Sequence, residues 1–148
     1  MKLRIVAIGA LKGSAERALC AEYLGRLTHY CKVEEVVLRP DTPAKEAAAI
    51  KKACEGANVV LMDERGVQLT SEKLARKLES LASRGKGEVA LVIGGAHGLP
   101  AGLERELGGA VDRWSLSALT FPHRLARIVL CEQVYRAMTI LRGEPYHH

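Results

Sequence analysis

The sequence has no long apolar run, no clustered cysteines and no familiar nucleotide loop, and each absence excludes a class of protein. Nowhere in its 148 residues is there a stretch near the roughly 18 uninterrupted apolar residues of a membrane span. The start, Met1-Lys2-Leu3-Arg4-Ile5, lacks the layout of a secretory signal, which predicts a cytoplasmic protein. Cys20, Cys31, Cys54 and Cys131 are scattered, with no C-x-x-C pair and no histidine at ligand spacing. They read as reduced, mostly buried thiols, so neither a metal site nor a redox motif is expected. There is no internal repeat, low-complexity tract or linker. The absence of G-x-x-x-x-G-K-[ST], G-x-G-x-x-G and a Ser-His-Asp order argues against a nucleotide-using small-molecule enzyme or a hydrolase.

The length and the 48% hydrophobic composition suit one compact domain over residues 1–148 with a core that needs no disulfide or metal. Lysine and arginine number 22 against 17 acidic residues, a net charge of +5 that favours a polyanionic partner without identifying it.

Apolar, β-branched runs at Leu3–Ile8, Val33–Leu38, Val59–Met62 and Val89–Ile93 read as four strands. Between them, helical spacing appears from Ser14, read as an N-cap, through Leu19, Tyr23, Leu27 and Tyr30. It recurs from Thr42-Pro43 to about Glu55, and from Thr70 to Arg84 through Leu74, Leu78 and Leu81. Strand and helix alternate, which predicts an α/β domain with a mainly parallel sheet and helices on both faces. The continuous apolarity of Val89–Ile93 fits a strand covered on both sides. A ligand site belongs at the carboxyl ends of such strands.

A last helix begins after Pro122 and runs to about Leu141. Leu125, Ile128, Val129, Leu130, Cys131, Val134, Met138, Ile140 and Leu141 leave it no broad polar face, and Glu132 and Arg136 are spaced to pair. Two readings stand: burial against a second copy of the chain, or a tightly wrapped monomer.

Gly9-Ala10-Leu11-Lys12-Gly13-Ser14 reads as a plain strand-to-helix turn. Gly94-Gly95-Ala96-His97-Gly98 follows the most buried strand, where a chain approaching a ligand omits Cβ or takes positive φ. His97 either touches a phosphate or substrate or is incidental. The segment Trp114–Arg124 alternates hydroxyl and apolar residues and suits a pocket wall. Its backbone would bond a purine edge while Leu116, Leu119 and Phe121 hold the faces. The end, Pro145-Tyr146-His147-His148, offers a ring and imidazoles that can stack on a base or take a proton, although two terminal histidines also fit a tag remnant.

Together, Gly94-Gly95-x-x-Gly98, Trp114-Ser115-Leu116-Ser117-x-Leu119-Thr120-x-Pro122-His123, Glu132-x-x-Tyr135-Arg136-Ala137 and Pro145-Tyr146-His147 resemble the RlmH family. These SPOUT-class enzymes methylate N3 of a pseudouridine in 23S ribosomal RNA of the large subunit. The resemblance spans the whole chain. It implies a C-terminal trefoil knot, an exception to the rule that chains avoid knots. It further implies a homodimer that sets the cofactor pocket of one subunit beside the substrate surface of the other, and the assembled ribosome as substrate. The cofactor is S-adenosylmethionine, and by motif position its contacts are Met62, Gly94, Leu116, Ser117, Ala118, Leu119, Thr120 and Phe121.

Methyl transfer to an imide nitrogen needs alignment of the methyl group and loss of a proton. His147 is the candidate proton acceptor, Tyr146 stacks on or orients the base, and His123 and Arg124 hold phosphate or an anionic base oxygen. Arg124, Arg127, Arg136, Arg142, Lys73, Arg76 and Lys77 are the candidate phosphate contacts. A reading from another class is a non-catalytic ribosome-binding or assembly protein with the same fold.

Overall fold

The computed structural model describes residues 1–109 and 111–148. Its elements run β1 (Lys2–Ile8), α1 (Ser14–Leu27), β2 (Lys32–Leu38), α2 (Pro43–Ala53), β3 (Asn58–Gln68), α3 (Ser71–Ala82), β4 (Glu88–Ile93), α4 (Leu103–Leu107), β5 (Asp112–Ser115) and α5 (His123–Leu141). The strands form one sheet in the order β2-β1-β4-β3-β5, with every pairing parallel.

The expected α/β architecture is present, and alternation along the strands builds it. Leu3, Ile5, Ala7, Val89, Leu91, Ile93, Val60 and Met62 point to one face, where Leu27 of α1, Leu74 and Leu78 of α3, and Leu130 and Val134 of α5 cover them. Val6, Ile8, Leu61, Ala90 and Val92 point to the other, under Ala47 and Ile50 of α2 and Leu103 of α4. Burial on both faces is why β4 carries no polar residue after Glu88.

Several local expectations need correction. The N-cap of α1 is Gly13, not Ser14, and no side chain bonds the first turn; Glu16 supplies the acidic group there. Tyr30 lies beyond α1, which ends at Leu27. Thr42 and Thr70 do cap α2 and α3, accepting from the N–H groups of Lys45 and Lys73 at 3.3 and 3.2 Å. Asp112–Ser115 form β5, so Trp114 and Ser115 belong to the sheet and not to a loop; the Trp114 ring is 2% exposed. Helix α4 was not anticipated either.

The largest departure is in β3. The charged run after Met62 reads as the strand's end, yet pairing with β5 resumes beyond it: Met62 and Val67 both face Trp114, and Asp63–Gly66 form an excursion between them. Glycine makes that geometry possible. A Cβ at position 66 would lie 2.7 Å from backbone atoms of Arg113 and Trp114.

Helix α5 lies against both α1 and α3, so the chain itself covers more of its apolar surface than the wheel implied. Leu125, 52% exposed, is its one large apolar residue left clearly open. On α1 the outer face carries Ala15, Ala18, Leu19 and Ala21. The free cysteines are as expected. Cys20, Cys54 and Cys131 are buried and Cys31 is half-buried; burial pushes the Cys54 thiol up to about 11.

Two glycines predict opposite outcomes. Gly66→Ala forces backbone against backbone and should cost about 1–3 kcal/mol. Gly25→Ala, at an exposed position in the last turn of α1 with open space around it, should add up to ~1 kcal/mol. Urea unfolding of both variants beside the parent checks the pair.

Candidate functional site

The ends of β4 and β5 lie beside the excursion of β3, and the chain at each of these places contributes one wall of a cleft of about 910 Å³. Met62 to Arg65 come from β3, Ile93 to Leu99 from the end of β4 and the loop after it, and Ser115, Leu116, Ser117, Leu119, Thr120, Phe121, Pro122 and His123 from the end of β5 and the segment leading into α5. Ala126 adds a contact from α5. The carboxyl edge of a parallel sheet is where ligands of such folds bind.

The glycine loop is tight for an internal reason. Gly98 N–H donates to Gly95 O at 3.0 Å and closes a turn, and Gly98 adopts φ +77°. A Cβ on Gly94 would sit 2.3 Å from the backbone carbon of Gly98. The loop folding back on itself thus requires glycine at position 94 for a reason of its own, apart from any approach to a ligand. Gly95 is held against the end of β1, where its Cβ would lie 3.2 Å from Ile8 O. His97 is exposed on the rim.

The β3 excursion sets the opposite rim. Arg113 of β5 pairs with the Asp63 carboxylate and, through its other nitrogen, with Glu104 of α4. Burial alone would raise Asp63, but the Arg65 N–H, the Arg65 guanidinium and Arg113 outweigh it and hold the carboxyl below its ordinary range. So fixed, the excursion presents Glu64 to the cleft, where its carboxylate accepts from the Thr120 hydroxyl at 2.9 Å. None of Asp63, Glu64, Arg65 and Arg113 was anticipated. The signal was present as a charged run abutting an apolar strand and containing a glycine.

The segment after β5 uses its hydroxyls on itself. Ser115 Oγ donates to Ser117 O at 2.8 Å, and Leu119 N–H donates to Ser117 Oγ at 3.0 Å. This bends the chain and leaves Leu119 71% exposed at the cleft mouth, with Leu116 and Phe121 half-buried. Of the cofactor residues drawn from the resemblance, Met62, Gly94, Leu116, Ser117, Leu119, Thr120 and Phe121 line the cleft; Ala118 is exposed and does not.

The catalytic candidates divide. His123 lines the cleft, while Arg124 is exposed beside it, 3.7 Å from Glu16. Tyr146 and His147 dock near Arg136, roughly 20 Å along α5 from His123 at about 1.5 Å of rise per residue. There the Tyr146 ring meets Tyr135 edge-on, its centroid 4.7 Å away, and lies under the Arg136 guanidinium at 4.8 Å. Its hydroxyl donates to Glu132 at 3.2 Å, and burial followed by the Glu132 charge pushes it up to about 12. His147 Nδ1 is 3.2 Å from Arg136 Nη1, and Nε2 is 2.9 Å from Glu72. Arginine has only donors, so Nδ1 accepts and the Nε2 hydrogen donates to Glu72. That bond holds the Glu72 carboxyl below its ordinary range. The expected Glu132–Arg136 pair is made at 2.7 Å.

Among the candidate phosphate contacts, Lys73, Arg76, Lys77, Arg124 and Arg142 are exposed and Arg136 is partly buried. Arg127 is a correction. It is 4% exposed, donates to Gly9 O at 2.7 Å and pairs with Glu35 at 3.3 Å, so it faces the core and not RNA. Among the described residues no group of acidic, histidine or cysteine side chains is placed to hold a metal ion, and no helix is long and apolar enough to cross a membrane.

Asp63 gives a pH test with a definite sign. A carboxyl lowered on folding stabilises the protein above its unfolded value, and that contribution is lost as pH falls through the folded value. Asp63→Asn should cost roughly 1–3 kcal/mol at neutral pH, and the gap to the parent should narrow as pH falls through and below the ordinary carboxylate range. Chemical unfolding of both proteins across that range measures it.

The sequence model described as "Predicted SPOUT methyltransferase" matches residues 1–147. The chain is 50% identical to Ribosomal RNA large subunit methyltransferase H of Sorangium cellulosum (strain So ce56), over 100% of both chains. It is 41% identical to the protein of that name from Gloeobacter violaceus (strain ATCC 29082 / PCC 7421), covering 100% of this chain and 99% of the other. A solved structure described as a "probable methylase family protein" from Haemophilus influenzae Rd KW20 superposes with a TM-score of 0.59 at 14% identity, over 99% of this chain and 70% of that one, a likeness of fold. With a family match over nearly its whole length and relatives this similar end to end, the chain belongs to the SPOUT methyltransferase family.

Proposed function

We propose that this protein transfers a methyl group from S-adenosylmethionine to N3 of a pseudouridine in 23S ribosomal RNA of the large subunit, acting on the assembled ribosome in the cytoplasm. The observation that carries the reading is the cleft: two short, backbone-rich loops, 94–99 and 115–121, face each other at the carboxyl edge of the sheet. The resemblance implies the cofactor contacts at these same loops, and the relatives' shared name supports the substrate class.

The residues present fit the cofactor. Met62, Ile93, Leu116 and Phe121 provide apolar walls for a purine, and the Glu64 carboxylate suits a positively charged centre at the rim. When bound, the cofactor supplies a methyl group on a sulfonium. Everything else falls to the protein: to hold the methyl in line with the acceptor nitrogen, to keep water out, and to receive or release the imide proton. His123, at the end of the Ser/Leu-rich wall, is placed to touch the incoming base. Arg124, beside it and exposed, suits phosphate.

Tyr146 and His147 enter through a second subunit in this proposal. They stand far from their own cleft, and a two-fold pairing of chains would bring one protomer's tail to the other's cleft. The outer face of α1, with Ala15, Ala18, Leu19 and Ala21, and the open Leu125 on neighbouring α5 support such a homodimer. Within the tail, acceptance of a proton by His147 requires Arg136 to release Nδ1 first. The proposal keeps residues 1–148 as one domain, supported by a single sheet with an apolar layer on each face. It includes the C-terminal trefoil knot that the resemblance implies.

The test is methyl transfer to ribosomes lacking the modification, with isotopically labelled cofactor and mass spectrometry of the RNA. The expected product is one labelled methyl on a pseudouridine; an unlabelled RNA would leave a non-catalytic ribosome-binding protein as the better reading. Removing Tyr146 to His148 should lower turnover on the order of 10²–10⁴-fold, with cofactor affinity by calorimetry nearly unchanged. Undiminished turnover would remove the tail from the mechanism.

A further inference from the structure

We infer that Arg127 is a positioning residue that holds the two cofactor loops at their working separation. This rests on the cofactor reading above and adds to it a residue that touches neither ligand nor cleft.

Arg127 sits one turn into α5, on the stripe shared with Leu130, Cys131 and Val134, and is 4% exposed. Burying a guanidinium is costly unless its hydrogens are placed. Two of its nitrogens are: Nη1 donates to Gly9 O at 2.7 Å and Nη2 to Glu35 of β2 at 3.3 Å. Nε is buried without a partner, so packing alone does not explain the residue, and a hydrophobic side chain would avoid the cost. What the arginine achieves is reach. It ties α5 to the carboxyl end of β1 and to the middle of β2, and Gly9 at φ +88° also donates its N–H to Leu38 O at 2.8 Å.

Both cofactor loops lean on that junction. The glycine loop packs through Gly95 on Ile8, the residue before Gly9. The Ser/Leu-rich loop runs straight into α5, entering at His123, and Ala126, next to Arg127, lines the cleft. One guanidinium thus connects the strand end that supports the first loop to the helix that anchors the second. Sites of this kind tolerate displacements of only about 0.5 Å.

The test measures S-adenosylmethionine affinity by calorimetry and, separately, amide hydrogen exchange in the unliganded protein. Arg127→Met should bind about tenfold more weakly or worse, and Arg127→Lys, which keeps the charge beside Glu35, should recover part of the loss. Exchange should quicken in both 94–99 and 116–121. Leu81→Ala, a core truncation in the last turn of α3, beside Asn58 at the amino end of β3 and so across the sheet from the cleft, serves as the control: it should lower stability yet leave affinity within about twofold. If the parent protein itself does not bind the cofactor, the functional reading fails and this inference with it. If the parent binds and both Arg127 variants match it, or Leu81→Ala loses affinity equally, Arg127 is merely structural. Should Arg127→Met not fold, Arg127→Lys decides: unchanged affinity and unchanged exchange in the two loops overturn the inference.

Discussion

Gly66 passes so close to the backbone of Arg113 and Trp114 that only a residue without a Cβ fits, and the shape of the cleft depends on that crossing. Because Met62 and Val67 both meet Trp114, the four residues between them are forced out of the sheet. The excursion is not left loose: Arg113 fastens Asp63, Glu104 fastens Arg113, and Thr120 of the facing segment holds Glu64. A local misfit in strand pairing becomes a fastened rim, with charge at the mouth of a cleft whose lining is partly apolar and partly polar.

The other walls follow the same logic of backbone shaping by local constraint. Gly94 permits the loop to fold onto Gly98, and Ser115 and Ser117 bend the next segment through their own hydroxyls. Little of this polar chemistry points outward. The cleft offers shape, apolar walls and one placed carboxylate, which suits a cofactor already carrying its reactive group. The tail stores its groups elsewhere, with Tyr146 and His147 held by Arg136, Glu132 and Glu72. In the functional reading, those contacts are what a second subunit and a docked base would exchange.

Much of this was legible in the sequence, because apolar period and turn residues act locally. The four apolar strands, the starts of α2 and α3 near Thr42 and Thr70, the extent of α5 and the Glu132–Arg136 pair follow from spacing and turn residues. What was missed depends on partners distant in the chain. β5 is four residues long, begins Asp-Arg and gains its identity only by lying beside β3. The continuation of β3 past a charged run depends on the same pairing. Arg127 looked like a phosphate contact because arginine favours solvent, yet its spacing from Leu130, Cys131 and Val134 already placed it on the buried stripe. The family motifs marked the cleft residues well, Ala118 excepted, but carried no sign that Tyr146 and His147 would stand so far from them in one chain.

The central claim is that the loops at 94–99 and 115–121 enclose an adenosyl group between them. A crystal structure of the protein with S-adenosylhomocysteine tests it most directly. The account predicts the purine between Leu116 and Phe121 on one side and the glycine loop on the other, with the sulfur toward Glu64. Ligand bound elsewhere on the fold, or a cleft closed by its own side chains at saturating ligand, would contradict it.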